Sequence, residues 1–423
     1  MGRRVVITGM GVCSPLGNTL SQFTTNLYEG KNGIRFWEEL AALNFSCQLG
    51  GKPDLSEIEL TNYFAKNQLN GLQSTGIIYG MIAATDAATQ AQIQPSDSTN
   101  WNLGVQFGTG ISGVAKFREA IYKIDESNVR RLGSTSVYQT MSSGVSALIA
   151  GKYGAGNVVA TNSSACSSGV EALLLGFERI QHGKATQMLV GSTSDSGPYI
   201  WGGFDALRVL PRKYNAEPEQ ASRPMSASAS GFVPASGAAA FVLEDLETAQ
   251  KRGATILAEI VGGNVNSGGM RSGGSMTAAN PEGIQRCIQA ALNNAQVEAH
   301  QISSINGHLT ATTKDSFEIA QWKEALGLAA ADFPPINSFK GHFGHALAAS
   351  GAIECVGVVQ QLVTQQRFGN RNIEEVHPQI VHLVPEEKIT FSSSTYPQNY
   401  IIKASFGFGD VNACIIFKHY QNT

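Results

Sequence analysis

Short apolar runs closed by glycine alternate along this chain with longer stretches of helical spacing, and that alternation constrains the fold more than any other feature. The runs predict strands at 4–8, 103–107, 157–161, 187–190, 239–244, 256–262, 304–306, 388–391, 400–405 and 413–418. The longer stretches predict helices at 76–90, 167–182, 281–294, 315–326 and 349–365. Strands alternating with helices predict an α/β protein whose sheets are largely parallel and buried on both faces.

Two segments share a layout. In one, the strand at 157–161 runs through a Ser/Gly-rich turn holding Cys166 into a helix. In the other, Ile336-Asn-Ser-Phe-Lys-Gly-His-Phe-Gly-His345 runs into an Ala/Ser-rich helix from Ala346. Each puts a reactive residue type at a helix N-terminus. They are expected at equivalent points of two duplicated α/β halves, residues 1–252 and 253–423, dividing near 250–255. The glycine-rich stretch 262–275 reads as a flexible loop.

Charge and cysteine usage exclude several classes. The net charge is −3 with no basic block, so nucleic acid has no electrostatic footprint. The six cysteines are scattered without a CxxC pair, which argues against a zinc knuckle or a disulfide framework and fits a reducing cytoplasm. The opening apolar run is too short and too glycine-broken for a signal peptide. No run reaches the ~18 apolar residues of a membrane span. Charged residues make up only 15%, below the usual share of roughly 25%, so much of the surface is uncharged or covered by a partner.

The chemistry centres on Cys166. At a helix start, free N–H groups and the helix dipole favour a thiolate and could stabilise an oxyanion on a thioester carbonyl. A buried structural thiol is the competing reading. His308 follows a short strand in Ile305-Asn-Gly-His308, and His345 lies in a second Gly-rich turn. Ends of strands and helices are where α/β proteins build active sites. A Cys/His/His metal site is possible by ligand type, although no close ligand pair supports it. His342 competes with His345 for the site. Lys340 and Glu354 flank His345 and could pair, and Phe408 could line or gate an apolar tunnel.

Together these motifs resemble the β-ketoacyl-[acyl-carrier-protein] synthases, of the thiolase-fold condensing enzymes. Residues 5–17 look like the family's opening strand and turn. Ser164-Ala-Cys166 matches its nucleophile motif, and Asn306-Gly-His308 with Leu-Thr-Ala-Thr312 its first histidine motif. Lys340, His345 and Gly351-Ala-Ile-Glu354 match the second, and Phe406-Gly-Phe408-Gly409 the C-terminal loop. The resemblance implies a thiolase-like fold, two duplicated halves forming a layered αβαβα core. It implies that Cys166 accepts an acyl chain from acyl-carrier protein while His308 and His345 assist decarboxylation of a malonyl unit. It implies that Lys340, paired with Glu354, organises the histidines. The N–H groups of Cys166 and Phe408 would form the oxyanion hole, in a gating loop that includes Gly409. Thr310 and Thr312 would hold the pantetheine arm. The His/His pattern implies the elongating type, with no metal or organic cofactor and with a homodimer as the default assembly. A heterodimer with a ketoacyl-synthase-like subunit is the variant.

Departures from the pattern fall in several places. Charged members of the family's Arg-Pro…Gly segment are replaced by Ser and Ala across 223–239, which predicts a missing ion-pair network. Leu309 and Asp410 stand where glycines are usual, and the stretch 262–275 looks long. Carrier-protein docking usually relies on Lys and Arg; here Lys66, Arg130, Arg131 and Arg208 are the candidates. Three functions therefore compete: an elongating condensing enzyme in fatty-acid or specialised polyketide/polyene synthesis, a non-catalytic chain-length-setting subunit, and a cysteine hydrolase. Cys166 argues against the second, and the lack of a third orienting group against the last.

Overall fold

A computed structural model describes residues 2–269, 273 and 275–421. Ten strands follow one hydrogen-bonded order: β1 (Val5–Cys13), β2 (Leu103–Thr109), β3 (Val159–Asn162), β4 (Gln187–Ser194), β5 (Gly237–Asp245), β6 (Ala258–Ser267), β7 (Ile302–Asn306), β8 (Ile336–Asn337), β9 (Tyr400–Gly407) and β10 (Val411–His419). From the centre outward the first five run β1-β5-β4-β2-β3 and the second five β6-β10-β9-β7-β8. Adding five to each number of the first order gives the second. Strand senses repeat too. The pairs β1/β5 and β5/β4 are antiparallel and β4/β2 and β2/β3 parallel. Their counterparts β6/β10, β10/β9, β9/β7 and β7/β8 match them in turn. The halves join where Val5–Ile7 pairs antiparallel with residues 258–260.

The sheets are thus mixed rather than largely parallel. In the second half the reason is local: β9 turns into β10 within 408–410, and so tight a return can only be antiparallel.

The main helices are α1 (Leu20–Tyr28), α2 (Thr75–Gln90), α3 (Val114–Asp125), α4 (Gly144–Tyr153), α5 (Ser168–Gln181), α6 (Pro198–Ala206), α7 (Pro281–Ala295), α8 (Asp315–Leu326) and α9 (Ser350–Thr364). Helices α5 and α9 touch strands of both halves and form the middle layer. Helices α2 and α4 cover the outer face of the first half, and α7 and α8 that of the second. The result is the layered αβαβα arrangement. Apolar residues of α5 at helical spacing, Val170, Leu173, Leu174, Phe177 and Ile180, share one core cluster with Ile353, Val356 and Val359 of α9. The two helices approach so closely that a Cβ on Gly169 would lie 2.5 Å from the Ala352 nitrogen. The central position also explains the stretch Leu347–Thr364. It is apolar and long enough to match a membrane span by composition, contrary to the sequence expectation, and is 83% buried between the sheets.

Other differences have physical causes. Helices α1, α3, α4 and α6 fall outside the alternation read from sequence; Gly151 in α4 and Gly202 and Gly203 in α6 interrupt the spacing. The predicted strand at 388–391 is a short 3-10 turn, Glu386–Lys388, after which Ile389 makes a single bridge to Ile336. Residues 262–267 of the supposed flexible loop belong to β6. Their glycines serve close packing, since a Cβ on Gly263 would meet Leu174 Cδ2 at 2.3 Å. Residues 270–272 and 274 lie outside the described residues.

Candidate active site

Chain leaving β3 turns sharply before α5. Ala165 adopts φ +48°, a left-handed conformation that costs a non-glycine residue energy, and opens the 3-10 turn Ala165–Ser167. Serines hold the turn. Ser168 Oγ donates to the Ala165 carbonyl at 2.7 Å and accepts the Ser164 N–H at 2.9 Å. Ser167 Oγ reaches the carbonyls of Ser405 and Val411 at 3.0 and 2.9 Å, tying the turn to the β9/β10 hairpin. The duplicate half repeats the device, with Leu347 at φ +52° opening the 3-10 turn Leu347–Ala349 before α9. His345 sits just upstream of that turn.

The structure brings Cys166, His308 and His345 together: the sulfur and one ring nitrogen of each histidine lie within 4.8 Å of one another. The imidazoles meet edge to face with centroids 5.4 Å apart. His345 Nδ1 accepts the Leu347 N–H at 3.1 Å and lies 2.8 Å from Ser350 Oγ. This network assigns the proton to Nε2, which is left to donate. His308 is placed by the loop between β7 and α8. Glu318 accepts the N–H groups of His308 and Leu309, both at 2.7 Å, and Asp315 accepts those of Thr310 and Ala311 at 2.9 and 3.1 Å. His342 faces elsewhere, its ring nitrogens 2.9 and 3.2 Å from the carbonyls of Gly369 and Lys31.

Lys340 lies beneath the histidines. Its Nζ donates to the His308 carbonyl at 2.6 Å and pairs with Glu354 Oε1. Lys403, which sequence reasoning did not single out, reaches Glu354 Oε2 at 2.7 Å. All three side chains are fully buried. Burial holds both histidines well below their ordinary pKa, and the Lys340 and Lys403 charges push the same way, so the rings are neutral near pH 7. Burial also lowers Lys340, opposed by Glu354. The two ammonium groups work against a dication on the Cys/His/His set.

The expected low thiol pKa is reversed. Burial pushes Cys166 up to about 11, outweighing the Lys340 charge and the N–H groups of Phe408 and Cys166 that face the sulfur. Those two N–H groups are the pair that the family resemblance assigns to an oxyanion hole. Gly409 does not add a third, because its N–H donates to the Met276 carbonyl at 3.0 Å; it supplies a left-handed turn at φ +82° instead. Asp410 also adopts φ +60°, a conformation Asp tolerates, and its carboxylate accepts the Asn280 N–H at 3.2 Å.

A pocket of about 380 Å³ opens from this centre, lined by Cys166, both histidines, Thr310, Thr312, Phe204, Phe232, Phe408 and Met276. Thr310 and Thr312 lie with their hydroxyls 3.2 Å apart. Of the four docking candidates, Arg208 lines this pocket, together with Lys314, which the sequence reading passed over. Lys66, Arg130 and Arg131 are exposed and lie outside the lining. In the altered segment 223–239, Arg223 keeps partners, pairing with Glu374 and donating to Ser228 Oγ at 2.7 Å. The residues missed left uneven traces. Asp315 and Glu318 form an acidic first turn on a predicted helix, whereas Lys403 is a lone cation in an apolar strand.

The β-ketoacyl synthase N-terminal domain model matches residues 2–249 and the corresponding C-terminal domain model residues 257–374. A relative named 3-oxoacyl-[acyl-carrier-protein] synthase 2 from Vibrio harveyi is 30% identical over 421 residues, covering 98% of each chain. One named 3-oxoacyl-[acyl-carrier-protein] synthase 1 from Haemophilus influenzae is 31% identical, covering 99% of this chain and 100% of that one. Among solved structures, a β-ketoacyl synthase from Burkholderia phymatum STM815 superposes with TM-score 0.88 at 28% identity, over 99% of this chain and 100% of that one. A chain of the AntDE:AntF complex, described as a type II PKS acyl-carrier protein with its ketosynthase bound to the hexaketide, gives TM-score 0.86 at 28% identity over all of both chains.

Proposed function

The chain belongs to the β-ketoacyl synthase family, and from that premise we propose that it condenses an acyl group on Cys166 with a malonyl thioester carried by acyl-carrier protein. The convergence of the Cys166 sulfur and the two histidine nitrogens within 4.8 Å, at the end of an open pocket, carries this reading. Sulfur attacks the incoming acyl thioester, and its oxyanion meets the N–H groups of Cys166 and Phe408. The carrier thiol leaves with the proton lost from Cys166. A malonyl thioester then takes its place, with its carbonyl oxygen against His308 and His345. Loss of CO2 leaves an enolate whose charge His345 Nε2–H and the His308 ring stabilise. Its carbon attacks the acyl-Cys166 carbonyl, the C–S bond breaks, and the sulfur takes up a proton from solvent. No metal or organic cofactor enters these steps.

Thr310 and Thr312 are suited to hold the pantetheine arm, and Arg208 and Lys314 at the mouth to steer an acidic carrier protein. A second ketoacyl-synthase-like subunit fits an apolar surface that includes Phe117, Ile121, Tyr122, Val137 and Tyr199, each at least half exposed. The six cysteines are unpaired, consistent with a reducing cytoplasm. The alternative, a non-catalytic chain-length-setting subunit, is disfavoured by the complete Cys166–His308–His345 set.

The test uses purified protein with acyl- and malonyl-[acyl-carrier-protein]. The expected result is CO2 release and 3-oxoacyl product, loss of condensation in Cys166→Ala, and retained decarboxylation in Cys166→Gln. Condensation undiminished in Cys166→Ala would overturn the mechanism. Absence of any acyl adduct on Cys166 by mass spectrometry would favour the non-catalytic subunit.

A further inference from the structure

Lys403 is a fully buried ammonium on β9, where its neighbours in the strand are Ile401, Ile402 and Ala404. Burying a charge in such a strand is costly unless it is paired, and its partner is Glu354 Oε2, at 2.7 Å. Oε1 pairs with Lys340. At Glu354, then, two ammonium groups face one carboxylate. Lys340 alone would balance Glu354, so Lys403 is the surplus.

We propose that Lys403 is a positioning residue for decarboxylation: it clamps Glu354 from the side opposite Lys340 and supplies an uncompensated positive charge near the histidines, where enolate charge develops. The clamp sets the line Glu354–Lys340–His308 carbonyl, because Lys340 Nζ donates to that carbonyl at 2.6 Å. The charge acts on every group packed around it. From α9 these are Glu354 and Cys355, from β10 Cys414, and from the two Gly-rich turns Lys340, His308 and His345. Glu318, engaged by the N–H groups of His308 and Leu309, acts on Lys340 as well. Lys403 also faces the Ala404 carbonyl and, at 3.4 Å, Ser405 Oγ, neither of which neutralises it. A fixed positive charge in a dry site favours a reaction that builds negative charge there. It should matter less for acylation of Cys166, whose oxyanion meets backbone N–H groups instead.

This inference rests on the proposed condensation, and its test separates the two. Lys403→Met removes the charge and leaves the balanced Lys340–Glu354 pair. Lys403→Gln keeps a hydrogen-bond donor without the charge and serves if the first variant does not fold. In the full-length protein, CO2 release from malonyl-[acyl-carrier-protein] is expected to fall about ten-fold relative to acylation of Cys166 by hexanoyl-[acyl-carrier-protein], in both variants. Carbethoxylation of His308 and His345 by diethylpyrocarbonate, followed across pH by peptide mass spectrometry, should move its midpoint up by about one pH unit, since a neighbouring cation is gone. A merely structural role would lower the melting temperature and move neither ratio nor midpoint. Lys403→Gln behaving as wild type, or unmoved midpoints in folded Lys403→Met, would overturn the proposal. Wild-type protein that does not decarboxylate malonyl-[acyl-carrier-protein] would instead defeat the functional reading, and the histidine midpoints would still decide whether Lys403 supplies the charge.

Discussion

At Cys166 two effects oppose each other. The helix start, two N–H groups and Lys340 favour the thiolate, while burial in the closed turn favours the thiol, and burial prevails. Alkylation of Cys166 by iodoacetamide, read by peptide mass spectrometry, should therefore keep rising from pH 7 past pH 9. A plateau below pH 8 would mean that the helix start dominates. Because the Lys340 charge lowers the thiol pKa, Lys340→Met should be alkylated more slowly at each pH. The neighbouring Gly407 tests the proposed oxyanion hole. A Cβ there would sit 3.2 Å from the Cys166 nitrogen and 3.1 Å from the Ser164 carbonyl. Gly407→Ala is expected to slow acylation about a hundred-fold, the usual cost of spoiling such a hole. Acylation at wild-type rate would remove the Cys166 N–H from the mechanism.

The His308 loop is an element under strain. Leu309 at φ +22° and Ala311 at φ +63° both occupy conformations that favour glycine. Burial of the Leu309 side chain in the second-half core and the N–H bonds to Glu318 and Asp315 compensate. Burial pushes Glu318 up to about 7, above its ordinary value. The folded state thus holds a proton there that the unfolded state has lost between about pH 4.5 and 7. The stability from that proton is full below the lower value and fades as pH rises through the upper one, by at most about 3 kcal/mol. The stability gap between wild type and Glu318→Gln, from urea denaturation, should narrow as pH rises from 4.5 to 7. A constant gap would show that Glu318 is ionised throughout. The loop also marks the limit of sequence reading. Cys166, His308 and His345 each stand at a locally recognisable strand or helix end, which makes them candidates, and the family motifs then single them out from neighbours such as His342. The pairing of Lys403 with Glu354 joins distant segments, and no local spacing records it. The same holds for strand sense: the runs show where β5 and β10 lie but not that each returns antiparallel beside its neighbour.

Across the whole molecule, duplication places the chemistry. Both halves turn through a left-handed residue into a central helix, and α5 and α9 then pack back to back, which delivers Cys166 from one half and His345 from the other to one point. Each half ends in an outer strand, β8 or β3. Strand β8 has only two residues, with Ile336 buried and bridged by Ile389. Strand β3 is longer and leaves Val159 41% exposed. An open edge and an exposed apolar surface that includes Val137, at 72% exposure, are what a second subunit would cover. At so exposed a site Val137→Asp should change the stability of an isolated subunit by no more than about 0.5 kcal/mol. If a partner buries that valine, the same substitution places an unpaired carboxylate in an apolar interface. Light scattering after size exclusion should therefore give about twice the 44.9 kDa subunit mass for wild type and a shift toward the subunit mass for Val137→Asp. An unshifted dimer would place the interface elsewhere, and a wild-type monomer would leave that surface without the partner argued for it.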